Sequence, residues 1–255
     1  SLAEFLQCHP TRIRSEGKCA GSDAGRIRSS SRRSPAARRT FCTAMLAAAA
    51  TWFAPAQAAD DVLRIGFITD MSGLYADMDG TGGAEAIRMA IADHGGKVLG
   101  KRIELLVADH QNRADIAASR AREWFDREGV DLLVGGVNSA ASLALGNVAG
   151  EKKKVFISVG AGTTRQTNEE CNAYTIQYAY DTTALARGTG STIAKRPDGK
   201  TWYFVTADYA FGTSLEHDTS EIVKANGGKV LGSVKHPLSS ADFSSFLLQA
   251  QASKA

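Results

Sequence analysis

Three aspartates, Asp70, Asp77 and Asp79, fall within one polar stretch, and a metal site or a general base would need such a cluster. Aspartate is also a favoured turn former, so turn and cap duty in a long loop competes with that reading. His94, His110, His217 and His236 stand without H-x-x-x-H or H-E-x-x-H spacing, and no G-x-S-x-G elbow prepares a serine nucleophile. Gly80-Thr81-Gly82-Gly83 is glycine-rich but lacks the G-x-G-x-x-G spacing of a dinucleotide loop, and no G-x-x-x-x-G-K-[ST] occurs. These absences point to a protein that is not an enzyme and uses neither metal nor cofactor. An α/β hydrolase working through the Asp70 loop is the alternative.

What the residues do offer is a helix start able to hold an anion. Leu132 to Leu143 reads as an apolar run, a glycine pair, and then Asn138-Ser139 opening an Ala/Leu-rich segment. Ser139 would sit where free backbone N–H groups point outward, and such a terminus can hold a carboxylate or phosphate without any catalytic group. Other loops bring hydroxyls and aromatics, namely Tyr75, Ser158, Thr163, Tyr209 and Phe211. This is the composition of a binding cleft, where a few polar groups orient a ligand and rings cover it. Tyr209 and Phe211 could equally staple a helix start against the core.

The elements that must position these residues alternate regularly. The patterning predicts strands over 62–69, 103–108, 131–135 and 155–159, with helices over 84–91, 114–128 and 139–149 between and after them. The alternation restarts with a strand over 175–178, a helix over 181–195, a strand over 202–207 and a helix over 211–225, and segments 229–234 and 243–250 repeat it. Such order implies βαβ units and an α/β fold with mainly parallel sheets. The boundary between a first lobe, 59–180, and a second, 181–255, is expected near Tyr178 to Thr183. Ligands in such sheets sit beyond the carboxyl ends of the strands, so the loops to watch are 70–81, 137–139, 160–164 and 208–212.

Charge and cysteines divide the 255 residues unevenly. Residues 1–58 hold nine of the 30 Lys+Arg and three of the 27 Asp+Glu, so the overall +3 hides a body with 21 basic and 24 acidic residues. A mildly acidic body argues against nucleic acid as partner. Arg38-Arg39, the apolar run Cys42 to Ala54, and Ala56-Gln57-Ala58 follow the order of a secretory signal over 38–58, with cleavage expected after Ala58 and an unfolded upstream extension over 1–37. Cys8, Cys19 and Cys42 lie in that leader, so Cys171 is expected to carry no intrachain disulfide.

Taken together, Ile65-Gly66-Phe67, Met71-Ser72-Gly73, Gly82-Gly83-Ala84-Glu85-Ala86, Gly135 to Ser139, Ser158-Val159-Gly160-Ala161 and Asp208-Tyr209-Ala210-Phe211-Gly212 resemble a known family. It is that of the periplasmic solute-binding proteins of ATP-driven ABC importers, in the leucine/isoleucine/valine-binding branch. The resemblance implies a type I periplasmic-binding fold, in which two α/β lobes close over a ligand. It implies a periplasmic, monomeric protein that takes a small carboxylate-bearing solute, an amino acid or an aromatic acid, to a membrane permease. A sensor ectodomain of the same fold is another alternative. By matching position, Asn138 and Ser139 with the turn Gly160-Ala161-Gly162 and Thr163 would hold the carboxylate. Met78 would cover the ligand, and Tyr209 and Phe211 would face it from the second lobe, with Phe211 standing where amino-acid binders commonly have Tyr. The family continues past the position of Ala255, so the resemblance implies a C-terminally truncated member with an incomplete second lobe.

Overall fold

The computed structural model describes residues 61–255, and the expected upstream extension and secretory signal lie outside them. Strand β1 (Val62–Thr69) is the axis of a six-stranded sheet. Its apolar residues suit a strand covered on both faces, and it pairs in parallel on both edges. Ile65 aligns with Leu105 of β3 (Lys101–Asp109) on one side and with Leu132 of β4 (Leu132–Gly135) on the other. Strands β5 (Val155–Ser158) and β6 (Thr175–Gln177) extend the sheet beyond β4, while β2 (Lys97–Val98) runs antiparallel along β3. The order β2-β3-β1-β4-β5-β6 shows that the chain leaves β1 toward one side and returns on the other. The crevice of this doubly wound sheet therefore opens between the carboxyl ends of β1 and β4.

The first sheet is covered by α1 (Ala76–Asp79), α2 (Thr81–Asp93), α3 (Ala114–Glu123) and α4 (Ser139–Lys152). Ala117, Ala121 and Trp124 with Ala141, Leu145, Val148 and Ala149 pack on Ile68, Leu133 and Phe156 from the sheet, all essentially out of solvent. Small residues on α3 and α4 let the two helices share this core, and α4 is buried on more than one side, so its apolar residues do not confine themselves to one stripe. The helix expected over 114–128 changes to a single π turn at Trp124–Glu128, where one extra residue per turn is accommodated.

The second part of the chain begins with α5 (Thr182–Leu185), a π turn at Ala186–Gly190 and α6 (Ser191–Ala194), so the continuous helix expected over 181–195 is broken. Gly188, Gly190 and the neighbouring threonines are weak helix formers, which accounts for the irregular middle. Strand β7 (Thr201–Ala207), α7 (Ala210–Ala225) and β8 (Lys229–His236) then form one parallel βαβ unit, followed by α8 (Ser244–Ser253). The described residues thus hold two sheets, a mainly parallel one of six strands and a parallel one of two. Among the described residues no helix is long and apolar enough to cross a membrane. Cys171 is disulfide-bonded, correcting the expectation that it has no bridge.

Candidate functional site

Two aspartates at the ends of neighbouring strands shape the first loop. Asp70 is fully buried and accepts the Gly73 and Tyr75 N–H groups at 2.8 and 2.9 Å. Asp109, closing β3, accepts the Met71 N–H at 3.0 Å, the Ser72 hydroxyl at 2.6 Å and the Gln111 N–H at 2.7 Å. Burial pushes the Asp109 carboxyl up, but the bonds from Ser72, Met71 and Gln111 outweigh it and leave its pKa below the ordinary value. Asp70 is therefore the turn former that its residue type suggests, and Asp77 is exposed on α1. Asp79 does something else. The Thr69 hydroxyl donates to its Oδ1 at 2.9 Å, and the Val137 N–H bears on the same carboxyl, which lies against Gly136. Burial raises its pKa, the Thr69 hydroxyl and Val137 N–H pull it back, and the Asp70 charge raises it again.

Across the crevice lies the start of α4. Asn138 is its N-cap: the side-chain oxygen accepts the Ala141 N–H at 2.8 Å, and its amide group donates to Asn112 Oδ1. Asn112 is held in turn, its N–H donating to Nδ1 of buried His110 at 3.0 Å. Burial lowers the His110 pKa, which suits a ring nitrogen that accepts. Ser139 follows, fully buried, with a hydroxyl that has no partner. An added Cβ at Gly136 would stand 2.1 Å from both Asp79 Oδ2 and Thr69 Oγ1, so only glycine lets the first loop and the β4–α4 loop meet this closely.

The loop after β5 closes the third side. Gly160 lies against Val137, and the Ala161 carbonyl accepts the Gln177 amide at 3.0 Å. Gly162 is buried under the rings of Phe211 and Tyr180, which would lie 3.0 and 3.3 Å from an added Cβ. The Thr163 hydroxyl is engaged by Ser214 of α7 at 2.7 Å and by the Arg165 N–H at 3.4 Å. Ser158, expected among the cleft hydroxyls, is tied internally to Ser142 at 2.9 Å, and Ser142 donates to Gln166 at 3.0 Å. The second lobe answers from the other side. The Tyr75 hydroxyl donates to the Tyr209 hydroxyl at 2.7 Å, and the Tyr209 and Phe211 rings lie 6.1 Å apart. Burial, then the hydrogen bond shared with Tyr75, pushes the Tyr209 phenol well up, so it remains protonated.

Of the predicted residues, Gly160 meets Val137, Gly162 meets Phe211, Thr163 meets Ser214 of α7 and Tyr209 meets Tyr75, so these strand-end loops come together. Met78 is 64% exposed on α1. Thr69, Asn112, Ser214 and Asp218 pack beside these loops and were not singled out as site residues. A cavity of about 610 Å³ opens instead on the second sheet, lined by Trp202, Phe204 and Leu215 with Tyr209 and Phe211. It shares the two aromatic residues with the crevice but contains neither Ser139 nor the 160–163 turn.

Comparison with known proteins agrees with this architecture. A crystallised periplasmic binding protein from Burkholderia mallei is 68% identical, with a TM-score of 0.75 over 77% of this chain and 52% of that one. A solute-binding protein of an ABC transporter from Rhodopseudomonas palustris BisB5, solved with 3,4-dihydroxybenzoic acid, is 29% identical, with a TM-score of 0.65 over 76% of this chain and 52% of that one. A Leu/Ile/Val-binding protein homologue from Brucella abortus (strain 2308) is 27% identical over 207 residues, 79% of this chain. The chain spans about half the length of the curated relatives it matches, 51% in that case. Residues 62–255 match the family described as periplasmic binding protein. This chain, with its doubly wound first sheet and a second, parallel βαβ unit, belongs to that family.

Proposed function

We propose that the protein captures a small carboxylate-bearing solute in the crevice between its two lobes and delivers it to the membrane permease of an ATP-driven importer, from the periplasm and without bond chemistry. One observation carries the reading. Ser139 presents a fully buried, unpartnered hydroxyl at the first turn of a 14-residue helix, at the switch point of a doubly wound sheet. Buried hydroxyls are nearly always partnered, and a helix N-terminus favours an anion, so a carboxylate oxygen is the chemistry that completes the site. Tyr75 and Tyr209, already joined across the lobes, would flank the occupant and hold the closed form.

The solutes of the relatives agree in class. One similar chain is described with a dihydroxybenzoate, and another is named for leucine, isoleucine and valine. Isothermal calorimetry with branched-chain amino acids and with hydroxybenzoates tests the proposal. Binding without turnover is expected for members of one set, and formation of a product from any of them overturns it.

A further inference from the structure

We propose that His110 and Asn112 are positioning residues for the start of α4, joined to it by a chain of hydrogen bonds that stands only while the His110 ring is neutral. The inference rests on the carboxylate-capture reading above and deepens it by making capture depend on pH. The chain is short and its first and last members are buried. His110 is 1% exposed and follows β3, its backbone N–H donating to the Thr69 carbonyl at the end of β1 at 2.9 Å. Its ring Nδ1 accepts the Asn112 N–H at 3.0 Å, Asn112 Oδ1 accepts the Asn138 amide, and Asn138 Oδ1 accepts the Ala141 N–H at 2.8 Å. Asn138 can offer its oxygen to the helix only with its amide nitrogen turned elsewhere, and Asn112 is the acceptor which that nitrogen meets. The next residue is Ser139, whose hydroxyl is buried and unpartnered.

Asn112 needs to be held in place. Gln111 and Asn112 stand in succession at φ of 53° and 58°, a left-handed pair that non-glycine residues keep only where the surroundings enforce it. The bond to His110 Nδ1 is one enforcing contact, with the Gln111 N–H on Asp109 at 2.7 Å and the Arg113 N–H on the His110 carbonyl at 2.8 Å. A neutral imidazole has one accepting nitrogen, and the imidazolium has none. A proton on Nδ1 therefore sets two donors against each other and releases Asn112 from Asn138. The charges acting on the ring are Asp70, in the loop after β1, and Asp109, at the end of β3. Both favour the imidazolium, but burial opposes it and prevails, so the pKa lies below the ordinary histidine value. The neutral ring is thus present at neutral pH and is lost as pH falls through that lowered value. A solute held at Ser139 favours the capped helix start, and by reciprocity it draws the His110 pKa lower still.

Calorimetry on the full chain with L-leucine and with 4-hydroxybenzoate, from about pH 4.5 to about pH 8, tests the assignment. His110→Asn keeps a short side-chain acceptor for the Asn112 N–H and does not titrate. Protonation of the solute is common to both proteins, so the ratio of wild-type to His110→Asn affinity isolates the ring. That ratio is expected to fall about fivefold or more between the two ends of the range for the solute that binds. Asn112→Gly keeps the left-handed backbone and removes only the side chain, and it is expected to weaken binding about fivefold or more at neutral pH. Asn112→Asp, which restores an acceptor for Asn138, is expected to recover most of that loss. Should His110→Asn not fold, the wild-type ring followed by NMR decides: its titration midpoint is expected to drop on saturation with solute, and an unmoved midpoint overturns the proposal. A constant affinity ratio, or wild-type binding by Asn112→Gly, overturns it too and leaves carboxylate capture standing. No binding of either solute by the wild type at any pH overturns carboxylate capture and this assignment with it.

Discussion

Ser139 and Ser142 sit one turn apart on α4, both out of solvent, and their surroundings give them opposite parts. Ser142 is bonded to Ser158 and Gln166, so it belongs to the interior. The Ser139 hydroxyl is bonded to nothing. Removing a bonded buried hydroxyl strands its partners and costs about 1–3 kcal/mol, whereas removing an unbonded one forfeits no hydrogen bond. Ser142→Ala should therefore lower stability by roughly that amount, and Ser139→Ala should leave the thermal midpoint unchanged or slightly raised. In binding the order reverses. Ser139→Ala should weaken carboxylate ligands by roughly 1–3 kcal/mol, the usual loss for a charge-assisted bond, with Ser142→Ala nearly neutral. Thermal melts and calorimetry on the same two variants check both halves, and unchanged affinity in Ser139→Ala removes Ser139 from the site.

Helix α7 is joined to the loop after β5 by polar bonds. Asp218 Oδ2 accepts the hydroxyls of Thr182, Thr183 and Thr164 at 2.7, 3.2 and 3.2 Å, and Ser214, one turn earlier, bonds Thr163. Three hydroxyls sharing one acceptor make Asp218 the residue whose loss strands most partners. Asp218→Ala should cost about 1–3 kcal/mol in urea unfolding, and Thr183→Val distinctly less, because it removes one of the three donors and leaves the acceptor bonded. None of this was legible in the sequence, since hydroxyls from three separate segments meet only after the fold forms. What was legible is local and periodic: β1, β4 and α4 appear where apolar spacing and the Asn138-Ser139 cap place them. The β2–β3 hairpin was missed because Leu99, 97% exposed with φ of 49°, takes a left-handed turn position that sequence reading reserves for Gly, Asn or Asp. The site divides in the same way. The 137–139 and 160–163 loops were legible because they follow strand ends, whereas the contact of Asp79 with Gly136 was not, because it forms only when the first loop meets the β4–α4 loop.

Across residues 62–255 burial is uneven, and this bears on how the molecule opens. The first sheet has a continuous core in which Ile68, Leu133 and Phe156 are sealed by α3 and α4. The second has two strands, and Leu231, Leu247 and Leu248 remain 45–65% exposed there. Apolar burial supplies most of the free energy that resists opening, at about 25 cal/mol per Å². Regions with few buried contacts exchange their amide hydrogens through smaller and cheaper openings. Backbone amides of β1, β4 and β5 should therefore outlast those of β7 and β8 in native-state hydrogen exchange. If the solute is held between the lobes as proposed, a saturating ligand should slow both sets, because it raises the free energy of any opening that separates them. The gain should be larger in β7 and α7, whose openings separate Tyr209 from Tyr75 without disturbing the first core. Equal protection of the two sheets without ligand would mean that they unfold as one cooperative unit, and the crevice would then have no independent hinge.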